Sequence, residues 1–365
     1  MPATIRWRAP RRRRRARGPR RPARPTPALR RSPAATTAAI FCMLIGFLLA
    51  TVGHAATSTA RDYLASIQPS PALQAFLDRT IDGLLAGDAK LRQSDFRVAL
   101  LDLSHDPPLL AERHGHTPIY PASVVKFVYL MAAYAWQEQG KLRIDAELDD
   151  QLSHMIRESS NQATQHVVAR ITDTAPGAEL APEAYGEFKR RRLTVEAWLR
   201  GLGVTDLHCV NPTYDGDGDL AGRDAQFLRD RTVAGGLPTS GDAFANRNAM
   251  TAVGTAELLA LLATDRALSP ADSEVVRRRM QRNPVEQPHL AARIAGGAAR
   301  VPGLAVYAKS GTWGPIYADA GIVRDPAGRQ FVLAVFTQAN PPYRGDFIAE
   351  LTERSARHLF GAPPS

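Results

Sequence analysis

Lysine is nearly missing from this chain. Of the 46 Lys and Arg in 365 residues, five are Lys (Lys90, Lys126, Lys141, Lys189 and Lys309), leaving 41 Arg. Arg holds its proton at any physiological pH, whereas a desolvated Lys can release it. A Lys kept inside an apolar stretch of such a chain therefore points to proton chemistry. Cysteine is scarce too, with Cys42 and Cys209 the only two. Cys42 falls in a leader described below, so no disulfide within the mature chain is expected. Cys209 sits among Leu207, His208 and Val210 and reads as a small buried residue rather than a nucleophile. His114 and His116 have no Cys or carboxylate cluster beside them. They read as loop residues, and neither a metal nor an organic cofactor is implied.

Positive charge is also missing where the net value suggests it. The chain carries +10, but residues 1–31 hold 13 Arg and no acid, which leaves −3 for the remainder. That gives no support to a basic nucleic-acid groove in the folded part. Long apolar runs are limited to residues 38–52, too short for a comfortable membrane span and suited to a signal-peptide core. Gly53-His54-Ala55-Ala56 follows, with cleavage expected after Ala55. Residues 1–56 are thus read as leader and 57–365 as the mature domain, exported to the periplasm or beyond. Membrane attachment is expected only if the leader is kept, and Arg30-Arg31 allows a twin-arginine route.

What is present has a clear order. A helix is expected from Pro71 to about Leu85, then strands at Phe96–Leu103 and Leu109–Arg113. Pro121-Ala122-Ser123-Val124-Val125-Lys126-Phe127 opens an apolar helical pattern running to about Gln139. From there to about Arg282 the pattern is mostly helical, with Ser159-Ser160-Asn161 interrupting one run. Residues 211–250 read as a long irregular connection. Strands return at Leu304–Lys309, Tyr317–Val323 and Phe331–Thr337, before a last helix, Asp346–Phe360. The fold class implied is α+β in two lobes. One is a mainly antiparallel sheet flanked by terminal helices (about 57–120 and 300–365); the other is all-helical (about 121–299).

Ser123 and Lys126 are three apart, so a helix puts them on one face, within hydrogen-bonding reach. A buried amine with a lowered pKa can take the proton of a serine hydroxyl and make it a nucleophile. Ser159-Ser160-Asn161 and Lys309-Ser310-Gly311 complete an ordered set. With Tyr120-Pro121-Ala122 before Ser123 and the sheet after Lys309, the chain from about Phe96 onward resembles the class A β-lactamase-like serine hydrolases of the β-lactamase and penicillin-binding protein superfamily. The resemblance implies that Ser123 is acylated, Lys126 holds or takes its proton, and Ser159 relays a proton to the leaving nitrogen. Lys309 adds positive charge near the substrate carboxylate. Asn161, Ser310, Gly311 and Thr312 bind substrate, with the N–H groups of Ser123 and Thr312 as the oxyanion donors.

One part of that family's machinery has no counterpart. Its deacylating glutamate stands in Glu-x-x-Leu-Asn, which occurs nowhere in this chain. The corresponding stretch reads Val204 to Asp215, followed by Gly216-Asp217-Gly218-Asp219. Asp215 or Asp217 is the substitute water base to be considered, against a plain solvated turn. A calcium loop is disfavoured, because Leu220 and Gln226 replace the Gly and Glu it needs. The middle motif is also closer to Ser123 than the class leads one to expect. Two activities follow from the resemblance: β-lactam hydrolysis, and D-alanyl-D-alanine peptidase or amidase action on peptidoglycan with β-lactams as long-lived acylating agents. A non-catalytic binding protein is a third. The expected partner is accordingly a small β-lactam or a peptidoglycan peptide, not nucleic acid, and the chain is expected to be a monomer.

Overall fold

A computed structural model describes residues 59–215, 220–233, 235 and 246–361. The leader, its apolar run, Asp217 and Asp219 lie outside the described residues. Among the described residues no helix is long and apolar enough to cross a membrane.

The chain enters through α1 (59–66) and a short β1 (Gln68–Pro69). Then come α2 (Pro71–Gly87), α3 (Ala89–Arg92), β2 (Asp95–Asp102) and β3 (Leu109–Arg113). The helical section holds α4 (Lys126–Glu138), α5 (Ala146–Arg157), α6 (Asn161–Thr172), α7 (Pro182–Arg192) and α8 (Thr194–Leu202). It continues with β4 (Leu207–His208), α9 (Gly222–Leu228), β5 (Ala249–Met250), α10 (Ala252–Ala263), α11 (Pro270–Met280) and α12 (Ile294–Ala299). The chain closes with β6 (Ala305–Trp313), β7 (Ile316–Arg324), β8 (Gln330–Gln338) and α13 (Phe347–Phe360).

The main sheet has the order β1-β3-β2-β8-β7-β6, antiparallel except for the β1–β3 pair. Strand period decides which face each residue supplies. Val98, Leu100, Leu333 and Val335 face α2, α12 and α13. Ala99, Leu101, Ala334 and Phe336 face the other way, into a core shared with α4, α5, α6, α8, α10 and α11. The helical lobe therefore shares its main core with one face of the sheet, and a small separate cluster of Phe188, Val210 and Phe227 lies beside it. Helix α10 shows why. Its Ala, Val and Leu are apolar around the whole circumference and almost all buried, as a helix wedged between sheet and helices must be. Thr251 caps it, accepting from Gly254 N at 3.0 Å.

Residues 182–192 form α7, and residues 222–228, inside the stretch read from sequence as an irregular connection, form α9. Only Phe188 and Arg192 of α7 are buried, so the segment offers almost no apolar period to detect. Its anchors are Phe188, packed edge to face on Phe227 of α9 at 6.1 Å between ring centroids, and an ion pair. Arg192 and Asp224 form an ion pair, with the two residues 2% and 5% exposed, and Arg192 Nε donates to Thr174 Oγ1 at 2.8 Å. This pair clamps α7 to α9, and α9 flanks the loop through Asp215. Asp224→Ala leaves the guanidinium buried and uncompensated. It is expected to cost about 3–5 kcal/mol of unfolding free energy in urea titration.

Candidate active site

Ser123 stands on a 3-10 turn, Ala122–Val125, which precedes α4 rather than opening it. Ala122 has φ +48°, a left-handed conformation that a residue with a Cβ adopts only when its surroundings impose it. Those surroundings are identifiable. Val124 N donates to Pro121 O at 3.1 Å. Val124 and Val125 are fully buried, and Ile119 exchanges backbone hydrogen bonds with Met250 at 2.9 and 3.0 Å. The turn is thus pinned before and after the serine.

Strand β6 presses on this turn. A Cβ on Gly311 would lie 2.7 Å from Pro121 O and 3.1 Å from Ser123 N. The close approach that glycine permits here is to the serine's own turn.

Lys126 begins α4 and is fully buried. The sequence spacing predicts a bond to the Ser123 hydroxyl. Among the described residues the amine instead directs its donors across the site: to Ser159 O at 2.5 Å, Asn161 Oδ1 at 2.7 Å and Ser159 Oγ at 3.4 Å. The connection between α5 and α6 causes this. Ser159 has φ +59°, and Ser160 caps α6, accepting from Ala163 N at 3.1 Å. That turn aims the Ser159 carbonyl and hydroxyl and the Asn161 amide at one point.

Lys309 arrives from β6 and is 1% exposed. Its amine donates to Ser159 Oγ at 2.9 Å and to Ser310 O at 2.7 Å. One hydroxyl therefore lies between two buried amines. Burial pulls Lys126 down to about 7, against a smaller opposing pull from the Asp215 charge. Lys309 is also held well below its ordinary value, first by burial and then by Lys126 and Arg282, with Asp319 opposing. Two such amines cannot both carry full charge cheaply, and the one beside Ser123 can be neutral near neutral pH.

A second layer backs the strand. Arg293 donates to Thr312 Oγ1 at 2.6 Å and to Ala318 O. Arg282 donates to Ala308 O at 2.9 Å and Ile156 O at 2.7 Å, tying β6 to α5. Asp319, opposite Ser310 in the β6–β7 register, accepts from Ile294 N at 3.0 Å. Burial raises its pKa while Arg293, Arg282 and Lys309 act against that. Sequence reasoning misses all three: with 41 Arg in the chain, one more carries no signal, and Asp319 lies in an otherwise apolar strand.

On the far side, Asn161 Oδ1 accepts from Thr213 Oγ1 at 2.6 Å, and its amide donates to Asp215 Oδ1 at 2.7 Å. Asp215, considered from sequence as a water base, is thus at the site, one amide away from Lys126. Thr213 carries no sequence signal of its own. Ser123, Lys126, Ser159, Asn161, Lys309, Ser310, Gly311 and Thr312 come together from the 3-10 turn, α4, the α5–α6 connection and β6. Cys209 is buried and free; burial raises its pKa well above the ordinary thiol value, and the site does not include it.

A sequence model described as the Beta-lactamase enzyme family matches residues 190–359. That stretch contains Lys309-Ser310-Gly311 and leaves Ser123 and Ser159 outside. No curated protein matches the chain in sequence. Among solved structures, a β-lactamase from Sphaerobacter thermophilus superposes with TM-score 0.54 at 18% identity, covering 78% of this chain and 98% of that one. The extended-spectrum β-lactamase TLA-1 gives 0.56 at 15%, covering 78% and 99%. A variant of PBP-A, solved as its acyl-enzyme complex with penicillin G, gives 0.54 at 16%, covering 80% and 98%. The fold is that of the β-lactamase/transpeptidase-like proteins, as the three motifs imply.

Proposed function

On the premise of that fold, we propose that the chain is an exported serine hydrolase of the β-lactamase type, opening a β-lactam ring through an acyl-enzyme on Ser123. The observation that carries this is the Ser159 hydroxyl held between the buried amines of Lys126 and Lys309. Neutral Lys126 takes the Ser123 proton as Oγ attacks the lactam carbonyl. The N–H groups of Ser123 and Thr312 receive the oxyanion. Collapse breaks the C–N bond, and Ser159 passes a proton to the nitrogen while Lys126 or Lys309 replaces it. Asn161 holds the acylamino group, and Ser310 and Thr312, with Lys309 and Arg293 behind them, receive the substrate carboxylate. The penicillin acyl-enzyme of the PBP-A variant supports this reading by similarity of fold.

Deacylation is the slower half. Among the described residues, the carboxylate that accepts from Asn161 is that of Asp215, which is exposed. A chromogenic cephalosporin is therefore expected to give a burst of about one equivalent followed by slower turnover. Asp215→Asn is expected to keep the burst and lose most of the later phase. Equal turnover in the variant would remove Asp215 as the water base. A burst that stalls in the unaltered protein favours the second reading, a D-alanyl-D-alanine peptidase or amidase of peptidoglycan, which the missing glutamate independently supports.

A further inference from the structure

The ladder between β4 and β5 holds two residue pairs, Leu207 with Met250 and His208 with Ala249. Past it, the chain from Cys209 to Asp215 belongs to no helix or strand, so its buried backbone groups need partners from elsewhere. One side chain supplies three of them. Asn248, 2% exposed, stands next to Ala249 and carries the pairing on with its amide. Its Oδ1 accepts from Val210 N and Asn211 N, both at 2.9 Å, and its Nδ2 donates to Asn211 O at 2.7 Å. Tyr129, a helical turn after Lys126 in α4, donates to the same carbonyl at 2.5 Å. The Asn211 amide donates in turn to Asn246 O at 2.7 Å.

This fixed point lies between two parts of the site. On one side, Met250 exchanges backbone hydrogen bonds with Ile119, just before the Ser123 turn. On the other, the segment after Asn211 reaches Asn161. Thr213 Oγ1 donates to Asn161 Oδ1 at 2.6 Å, and the Asn161 amide donates to Tyr214 O at 3.1 Å and to Asp215 Oδ1 at 2.7 Å. A hydrogen-bonded path thus runs from the nucleophile's turn through Ile119, Met250, Asn248 and Asn211 to the Asp215 carboxylate.

We propose that Asn248 is a positioning residue for deacylation, holding Asp215 at a set distance from the acylated Ser123. This rests on the reading of Asp215 as the water base. Asn248 acts through the backbone of Val210 and Asn211 and touches no reacting atom. Three bonds from one planar amide to adjacent backbone groups fix both the position and the orientation of that stretch. The groups that acylate (Ser123, Lys126, Ser159 and Lys309) are placed instead by the 3-10 turn, α4, the α5–α6 connection and β6. Loss of Asn248 therefore falls on the second half of the reaction.

The test is a set of time courses with the chromogenic cephalosporin for the unaltered protein, Asn248→Ala, Asp215→Asn and the double variant. The burst counts the molecules that fold and acylate, so the later phase is read per acylating molecule. Asn248→Ala is expected to keep a burst and slow the later phase about 10- to 100-fold, the scale of a misplacement on the order of 1 Å. In the Asp215→Asn background the same substitution should cost little more, because the group it positions is gone. Tyr129→Phe removes a single bond to the same carbonyl and should act in the same direction by a smaller factor. Should Asn248→Ala give no burst, the same cycle with Tyr129→Phe decides. A later phase unchanged by the substitution, or losses that multiply in the double variant, would overturn the positioning role and leave Asp215 as the base. A later phase that survives Asp215→Asn, or a burst that never turns over in the unaltered protein, would overturn the water-base reading and this inference with it.

Discussion

Lys126→Met lowers the rate of Ser123 acylation by about 10²- to 10⁴-fold, the range associated with loss of a general base. Met nearly matches the length of the lysine stem and suits the buried apolar wall of α4, so circular dichroism should show the fold retained. What disappears is the one amine that sits a helical turn from Ser123 and contacts the Ser159–Asn161 turn. The pH dependence gives the sharper readout. With Lys126 pulled down to about 7 by burial, the neutral base is the minor form below that pH and the major form above it. Acylation by the unaltered protein should rise about tenfold per pH unit below 7 and level off above it. Lys126→Met should lose that limb. If the limb survives in the variant, another group is the base.

Gly311→Ala is the second large effect. The added methyl would meet Pro121 O at 2.7 Å, with Ser123 N and Val124 Cγ2 each at 3.1 Å. The first two are backbone atoms of a turn already pinned by Val124, Val125 and the Ile119–Met250 bridge, so they cannot swing aside as the end of a long side chain could. The strand must move away from the nucleophile's turn. A displacement on the order of 1 Å at a reacting centre costs about 10²-fold in rate, and the overpacking should cost about 1–3 kcal/mol in stability. Both are measurable on one preparation, by acylation kinetics and urea unfolding. A variant that acylates at the unaltered rate would mean that β6 does not set the position of Ser123.

The parts of this architecture legible in sequence are those where chemistry and pattern coincide. Short apolar strand runs bounded by turn residues, and capped apolar helices, announce the sheet and most of the helices. The scarcity of lysine makes Lys126 and Lys309 conspicuous among so many arginines. The direction of the Lys126 amine is not legible, because it depends on a left-handed turn at Ser159 contributed from 33 residues away. Helices α7 and α9 are hidden because they are held by one ion pair, Arg192–Asp224, and one aromatic contact, Phe188 on Phe227, rather than by a long apolar stripe. Arg282, Arg293 and Asp319 are hidden for a different reason. Their significance lies in meeting one another behind β6, and residue type alone does not mark them. Asp215 is visible only as one carboxylate in a Gly-Asp stretch; its bond to Asn161 singles it out.

The central claim is that Ser123 becomes covalently acylated. Its most direct test is the intact mass of the protein after a few seconds with benzylpenicillin and acid quench, beside Ser123→Ala treated alike. The account predicts a single adduct of the whole penicillin mass on the unaltered chain, mapping to the peptide that holds Ser123, and none on the variant. The same adduct on Ser123→Ala, or none on either at saturating penicillin, would contradict it.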